Sequence, residues 1–175
     1  MRPFGSLTED GPATFLRLGL IICCMPLLHC AGTRPTNLGV SETGLVPCPA
    51  SPNCVSSDAA DSDHAIAPFE LAVSGGQAWQ AAVLAVSALP RTTIVTEQDG
   101  YLHAECQSAV FGFVDDLELE LRPEDQIIAL RSASRLGYGD LGVNRRRVES
   151  LRQELGERGV LRPASGTGLA GHAPG

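Results

Sequence analysis

Positive charge is scarce in this chain: 13 Arg plus Lys stand against 20 Asp plus Glu among 175 residues, a formal charge of −7. Neutralising phosphates needs a net basic surface, so the balance argues against a nucleic-acid partner, and the run Arg145, Arg146, Arg147 does not reverse it. Long apolar runs are missing too. The stretch over residues 18–28 falls far below the roughly 20 apolar residues that span a bilayer, which argues against a lasting transmembrane helix. No nucleophile-elbow motif surrounds Ser56, Ser57, Ser132 or Ser134, and no recurrent zinc spacing joins the cysteines. Motifs therefore indicate no reaction, no metal and no cofactor. The length, once the two ends are set aside, leaves room for one modest domain and none for a second catalytic one.

What is present is a chain with 43% hydrophobic residues, enough to bury a core and to exclude wholesale disorder. Its N-terminal region reads as export machinery. Arg2 and Arg17 precede the short apolar stretch, which ends Leu27, Leu28, His29, Cys30, Ala31, Gly32. That ending resembles the lipobox of bacterial lipoproteins, in which a cysteine becomes the lipidated first residue; Cys30 is the residue expected to carry the anchor, with Cys24 the second candidate. The expected division is a leader over 1–29, a tether over 30–46, a domain over 47–155 and a disordered tail over 156–175. Such a protein sits in the bacterial cell envelope facing the periplasm, held to the membrane through its N-terminal lipid.

In the body, Trp79, Ala82, Val83, Val86 and Leu89 recur at helical steps over residues 77–89, and Pro90 stops the helix. Residues 92–97 are rich in β-branched side chains and lead into Asp99-Gly100, the signal for a two-residue hairpin turn, with 101–107 as the returning strand. Over 114–121, Leu117, Leu119 and Leu121 alternate with Asp116, Glu118 and Glu120, the pattern of a half-buried antiparallel strand. A fourth strand follows over 126–135, and Leu141, Val148, Leu151 and Leu155 mark a second helix. The expected fold class is α+β: two layers, an antiparallel sheet of about four strands, and two helices on one face. With Pro123 and Glu124 centring the second turn, Leu119 faces Ile128, Leu117 faces Leu130 and Asp116 faces Arg131. In the first hairpin Ile94 falls on the face of His103 and Glu105, a mismatch that a bulge or a covered outer face would resolve.

Three stretches carry a family likeness: Ser51-Pro-Asn-Cys-Val-Ser-Ser57, Phe111-Gly-Phe-Val-Asp-Asp116 and the segment from Arg131 through Gly137-Tyr-Gly-Asp-Leu-Gly142 to Arg147. They resemble the bacterial envelope family known as domain of unknown function 1499, over roughly residues 47–155. The resemblance implies a lipoprotein-like leader and tether, consistent with Cys30, and no activity, substrate or cofactor. Gly139 stands where similar sequences commonly have Ser, so a role for that hydroxyl is not expected here.

Cys48 and Cys54 lie in a loop braced by Pro47, Pro49 and Pro52, where an oxidising envelope favours a disulfide. The rival arrangement, both thiolates with His64 on a metal, lacks a fourth ligand nearby. Cys106, on the face of Leu102 and Ala104, reads as a buried thiol. Gly137, Gly139 and Gly142 spell a dinucleotide fingerprint, but Arg131-Ser-Ala-Ser-Arg135 is no apolar parallel strand, and a turn needing positive φ is the better account. Around it gather Arg131, Arg135, Asp140, Asn144 and Arg145. Asp140 is placed to cap the helix, and the group suits either a small anionic ligand at that helix start or an internal network in which Arg131 pairs with Asp116, Arg135 with another acid, and Asn144 caps a backbone group inside the fold. Asp115 shares the face of Leu117 and needs a donor. His64 and His103, both expected in solvent, are the available acid/base groups, and a small hydrolase using either of them with Asp115 or Asp116 is the alternative to a binding or scaffolding domain.

Overall fold

The computed structural model describes residues 31–163; Cys23, Cys24 and Cys30, and residues 164–175, lie outside the described residues. In chain order the elements are β1 (Val40–Ser41), β2 (Gly44–Leu45), β3 (Cys54–Ser56), β4 (Phe69–Glu70), α1 (Gly75–Ala88), β5 (Thr92–Gln98), β6 (Tyr101–Gln107), β7 (Val114–Arg122), β8 (Ile127–Ser134) and α2 (Val143–Glu157). The class is α+β. The main sheet has six strands rather than about four: β3-β8-β7-β6-β5, all antiparallel, with β4 also paired to β8. The two additional strands, β3 and β4, are three and two residues long, too short to leave an alternating pattern in sequence. A separate two-stranded ladder joins β1 to β2.

Both helices pack on one face. Leu102, Leu117, Leu119, Ile128 and Leu130 point from the sheet toward Ala82, Val86, Val148, Leu151 and Leu155 in one continuous core. Along α1 the fully buried residues are Ala78, Ala82, Ala85 and Val86, while Trp79 and Val83 are only partly buried, so small side chains make the closest approach. Leu89 leaves the helix at φ −62°, ψ 135°, the extended conformation required before Pro90.

The first hairpin turns at Asp99 and Gly100, both at positive φ (48° and 77°), as a two-residue primed turn demands. A bulge between Ile94 and Thr96 resolves the mismatch along β5: Ile94 pairs with Ala104 and joins the core face, while Thr96 pairs with His103. In the second hairpin the register differs from expectation by two residues. Leu119 pairs with Leu130, Leu117 with Ser132 and Glu118 with Arg131, because Arg122 and Ile127 close a loop of four residues rather than two, with Gln126 at φ 55°. A shift of two preserves the faces and changes every partner.

The ends of the domain reach further than expected. The helix continues through Glu157, and Val160 and Leu161 are buried in the core, with Leu161 bridging to Leu71; residues 156–161 are part of the fold rather than the start of a tail. On the other side, residues 33–45 do not stand off as a tether. They lie along the sheet: Arg34 bonds Glu105, the Gly39 amide bonds Glu118 and Leu45 is buried. Cys48 and Cys54 form a disulfide with Cα atoms 5.7 Å apart. For a loop of about seven residues the closure arithmetic gives roughly 2 to 2.5 kcal/mol.

Candidate functional site

The sheet has a second buried layer, on the side away from the helices, and it is made of charge. Strand alternation sends Tyr101, His103 and Glu105 of β6, Asp116 and Glu118 of β7, and Arg131 of β8 to this outer face, under the segment that runs from Gly32 to Val40. Here Arg135 donates to both Asp116 oxygens at 2.8 and 2.6 Å and to Glu105 at 2.5 Å, and His103 Nε2 donates to Asp116 at 2.7 Å. Arg131 donates to Glu118 at 3.0 Å, and the Tyr101 hydroxyl reaches the other Glu118 oxygen at 2.8 Å. Burial alone would raise the Asp116 carboxyl; Arg135 and His103 outweigh it and hold the group below its ordinary value. The same burial, with Glu118 beside it, pushes the Tyr101 phenol upward, so it remains a hydrogen-bond donor. His103 lines a cleft of about 530 Å³ shared with Leu38, Gly39, Thr96 and Tyr101.

His103 is thus buried rather than solvent-facing, since the N-terminal segment covers the outer face that an isolated hairpin would expose. His64 is also mostly buried. Its Nδ1 lies 2.7 Å from Asp61 and its Nε2 3.1 Å from the Ser51 carbonyl, two acceptors that a doubly protonated ring satisfies. The Ser51 carbonyl, then Asp61, against the opposing effect of burial, raises its pKa. Of the four candidate acid/base residues the structure brings together His103 and Asp116. Asp115 lies on the helix side, where it accepts from Arg147 at 2.6 Å, and His64 belongs to the loop before β4.

A second network joins the end of β8 to the start of α2. Asn144, fully buried, donates to the Asn53 carbonyl, Ser134 Oγ and Asp140, and accepts from Ser132 Oγ at 2.6 Å and from Arg147. Asp140 accepts from the Gly142 and Asn144 amides at 2.8 Å each, capping the helix from outside its first turn, with Gly142 in the left-handed conformation (φ 76°). Burial opposes the ionised form of Asp140, but those amides more than compensate and its pKa is lowered. Asn53 donates to the Gly137 carbonyl, and Gly137 itself sits at φ 90°; the glycine fingerprint is a turn, and its carbonyl faces a side-chain donor where a phosphate would need N–H groups. Arg145 donates to the Asp63 and Ala65 carbonyls, tying α2 to the loop that holds His64.

The five candidates of the arginine-glycine segment therefore divide between two sides of the sheet. Arg131 and Arg135 belong to the outer face, with Arg131 on Glu118 in place of the expected Asp116; Asp140, Asn144 and Arg145 belong to the helix side. Sequence reasoning passed over Glu118, Glu105 and Arg147 as members. Arg147 was accessible through helical spacing, standing three residues from Asn144 and one from buried Val148, whereas Glu118 could not be joined to Arg131 while the turn length was wrong. Every one of the 13 Arg plus Lys residues is an arginine, the cation whose planar fork suits paired, desolvated carboxylates. Among the described residues no cluster of His, Cys, Asp and Glu has metal-binding geometry.

One region is open rather than satisfied. The β6–β7 connection and the β8–α2 connection meet at the same end of the sheet and expose Val110, Phe111, Phe113, Leu136, Tyr138, Leu141 and Val143.

With six strands, two helices on one face and a charged layer on the other, the described residues form an α+β fold. The model of the family described as protein of unknown function (DUF1499) matches residues 44–155, and the chain belongs to that family. No curated protein and no solved structure matches it.

Proposed function

We propose that this protein is a lipid-anchored component of the bacterial cell envelope, acylated at Cys30, whose domain binds or scaffolds through its surface without performing a reaction. One observation carries the second half of this reading: the charged groups best suited to chemistry are already engaged within the fold. Arg135 donates to Asp116 and Glu105, Arg131 to Glu118 through one terminal nitrogen while its buried Nε is left without a partner, Arg147 to Asp115 and Asn144, and Arg145 to two carbonyls. A small anion would have to displace a carboxylate from a desolvated pair, and breaking such a pair costs several kcal/mol. The first half rests on the short apolar stretch that ends at Cys30.

The alternative reading, a small hydrolase, is favoured by the His103–Asp116 hydrogen bond on the wall of the cleft. The neighbouring hydroxyls there, Thr96 and Tyr101, are poor nucleophiles: Tyr101 is held protonated against Glu118. Two measurements test the proposal. Mass spectrometry of the mature N-terminus from native membranes should find a diacylglycerol-bearing Cys30. A broad hydrolase screen on the purified protein should find no turnover that disappears in His103→Gln; turnover lost in that variant, with its melting temperature kept, would establish the enzyme reading instead.

A further inference from the structure

The exposed apolar residues lie where the chain emerges from the domain. Gly32 packs against Arg135 and Leu136: a Cβ placed on it would stand 2.9 Å from the Arg135 Cβ and 3.1 Å from Leu136 Cγ. From there the segment runs back across the outer face, past Arg34 on Glu105 and Gly39 on Glu118, to Val40 at the far end of the cleft. Residue 32 is therefore pinned at the apolar end, and Cys30 is two residues away, at most about 7 Å of extended chain. An anchor at Cys30 leaves no free tether. It holds this end of the domain against the bilayer.

The surface there is suited to that position. Val110 is 81% exposed, Phe111 69%, Tyr138 78% and Leu141 93%, all on two loops that project from one end of the sheet. Phe111 and Phe113 stack on each other at 5.6 Å, and Leu141 sits at φ 54°, a conformation that leucine rarely adopts and that holds its side chain out in solvent. Apolar tips of this kind, grouped rather than scattered, mark interaction surfaces. Arg146, exposed, stands beside Leu141 with its guanidinium on the Leu141 carbonyl at 2.7 Å, and Arg91 lies at the same end on the Gln107 carbonyl. The acids nearby, Glu105, Asp115 and Asp140, are each occupied by guanidinium or amide donors. Aromatic and aliphatic tips, with carbonyl-bound arginines at their edge and neutralised acids behind them, fit the headgroup zone of a phospholipid bilayer.

We propose that the two loops, residues 108–113 and 136–142, insert into the outer headgroup region of the membrane that carries the anchor, and so fix the domain's orientation with the β5–β6 and β7–β8 turns pointing away. This rests on acylation at Cys30. The lipid supplies attachment and the loops supply a defined pose, whereas a tethered domain would rotate freely.

The test uses the full-length, natively processed chain in vesicles of phosphatidylethanolamine and phosphatidylglycerol with brominated acyl chains. The indole introduced by Phe111→Trp should be quenched several-fold more than the one introduced by Gln153→Trp, a position on the part of α2 that runs away from the loops, with Trp79 as the common background. In the same vesicles the double variant Phe111→Asp, Leu141→Asp should melt like the parent and remain membrane-bound, yet lose protection from amide exchange over 108–113 and 136–142. Acylated, membrane-bound protein with equal quenching at both positions overturns the docking pose and leaves the anchor standing. Protein recovered in the soluble fraction with an unmodified Cys30 overturns the anchor, and the pose with it.

Discussion

On the helix side of the sheet Leu102, Leu117, Leu119 and Leu130 meet the apolar faces of α1 and α2; on the other side His103, Asp116, Glu118 and Arg131 lie under one extended stretch of chain. Both layers are largely buried, and they are built with opposite chemistry. Two packed helices are thick enough to offer apolar partners to every leucine beneath them. A single segment over residues 32–45 is not, so the outer side chains must provide partners for one another, and they do it as Arg–carboxylate pairs with His103 and Tyr101 filling the remaining acceptor sites. An apolar layer stabilises in proportion to the area it hides. A paired charged layer contributes little net stability but is strongly penalised when one partner is removed, because the other is left desolvated and alone.

That contrast is open to direct attack. Arg135→Ala removes the cation shared by Asp116 and Glu105, and the loss of stability is expected to be about 3 to 5 kcal/mol, read as a large fall in melting temperature. A variant melting within a degree or two of the parent would mean that water or Arg34 takes over, and that the outer layer is not sealed. Leu119→Ala, on the helix side, should cost roughly 3 kcal/mol through lost transfer energy and a cavity between β7 and the helices.

The two variants should also separate by pH. Against the opposing effect of burial, Arg135 and His103 hold Asp116 below its ordinary value, and Arg34 and Arg135 do the same for Glu105. Lowered carboxyl pKa values mean stability that is fully present above the ordinary carboxylate range, near pH 4, and lost as pH falls through the folded-state values. Melting temperatures taken from neutral pH to about pH 3 should therefore show Leu119→Ala running parallel to the parent, while Arg135→Ala, which has already lost that contribution, declines less steeply, so that its deficit against the parent narrows as pH falls. Parallel curves for both would show that Asp116 is not tuned by Arg135. The smallest effect belongs to Arg34→Ala: its side chain is 54% exposed, and the melting temperature should stay close to the parent's even though Arg34 bonds the same Glu105. A marked drop would reveal that Arg34, rather than the backbone contact of Gly39 with Glu118, fastens the covering segment.

Much of the frame could be read directly. The Asp99-Gly100 turn, the alternation along β7 and the helical spacing before Pro90 are local signals, and each specifies its element through backbone conformation or side-chain period alone. The disulfide between Cys48 and Cys54 was legible for the same reason, since six residues of separation within a proline-braced loop keep the two thiols near each other in any fold. The mismatch at Ile94 allowed two explanations, a bulge or a covered outer face, and the bulge between Ile94 and Thr96 is one of them. Other features had no local signature. Nothing in the four residues between Arg122 and Ile127 announces that all four form the loop, and the two-residue error in register moved Arg131 from Asp116 to Glu118. Val160 and Leu161 are too few to form a pattern, and they are core only because β4 and Leu71 lie beside them.

The sequence by itself determined which residues share a face, because that depends on a period of two along a strand or 3.6 along a helix, and neither period refers to anything outside the element. It determined that Asp116, Glu118 and Arg131 stand together on one side of a sheet and that the leucines stand on the other. Only the tertiary structure decided that the charged side would be buried. That outcome required residues 32–45, remote in the chain from β6, β7 and β8 and carrying no pattern of their own, to return across the sheet and close it, and the burial of a face depends on what lies over it rather than on the residues that compose it.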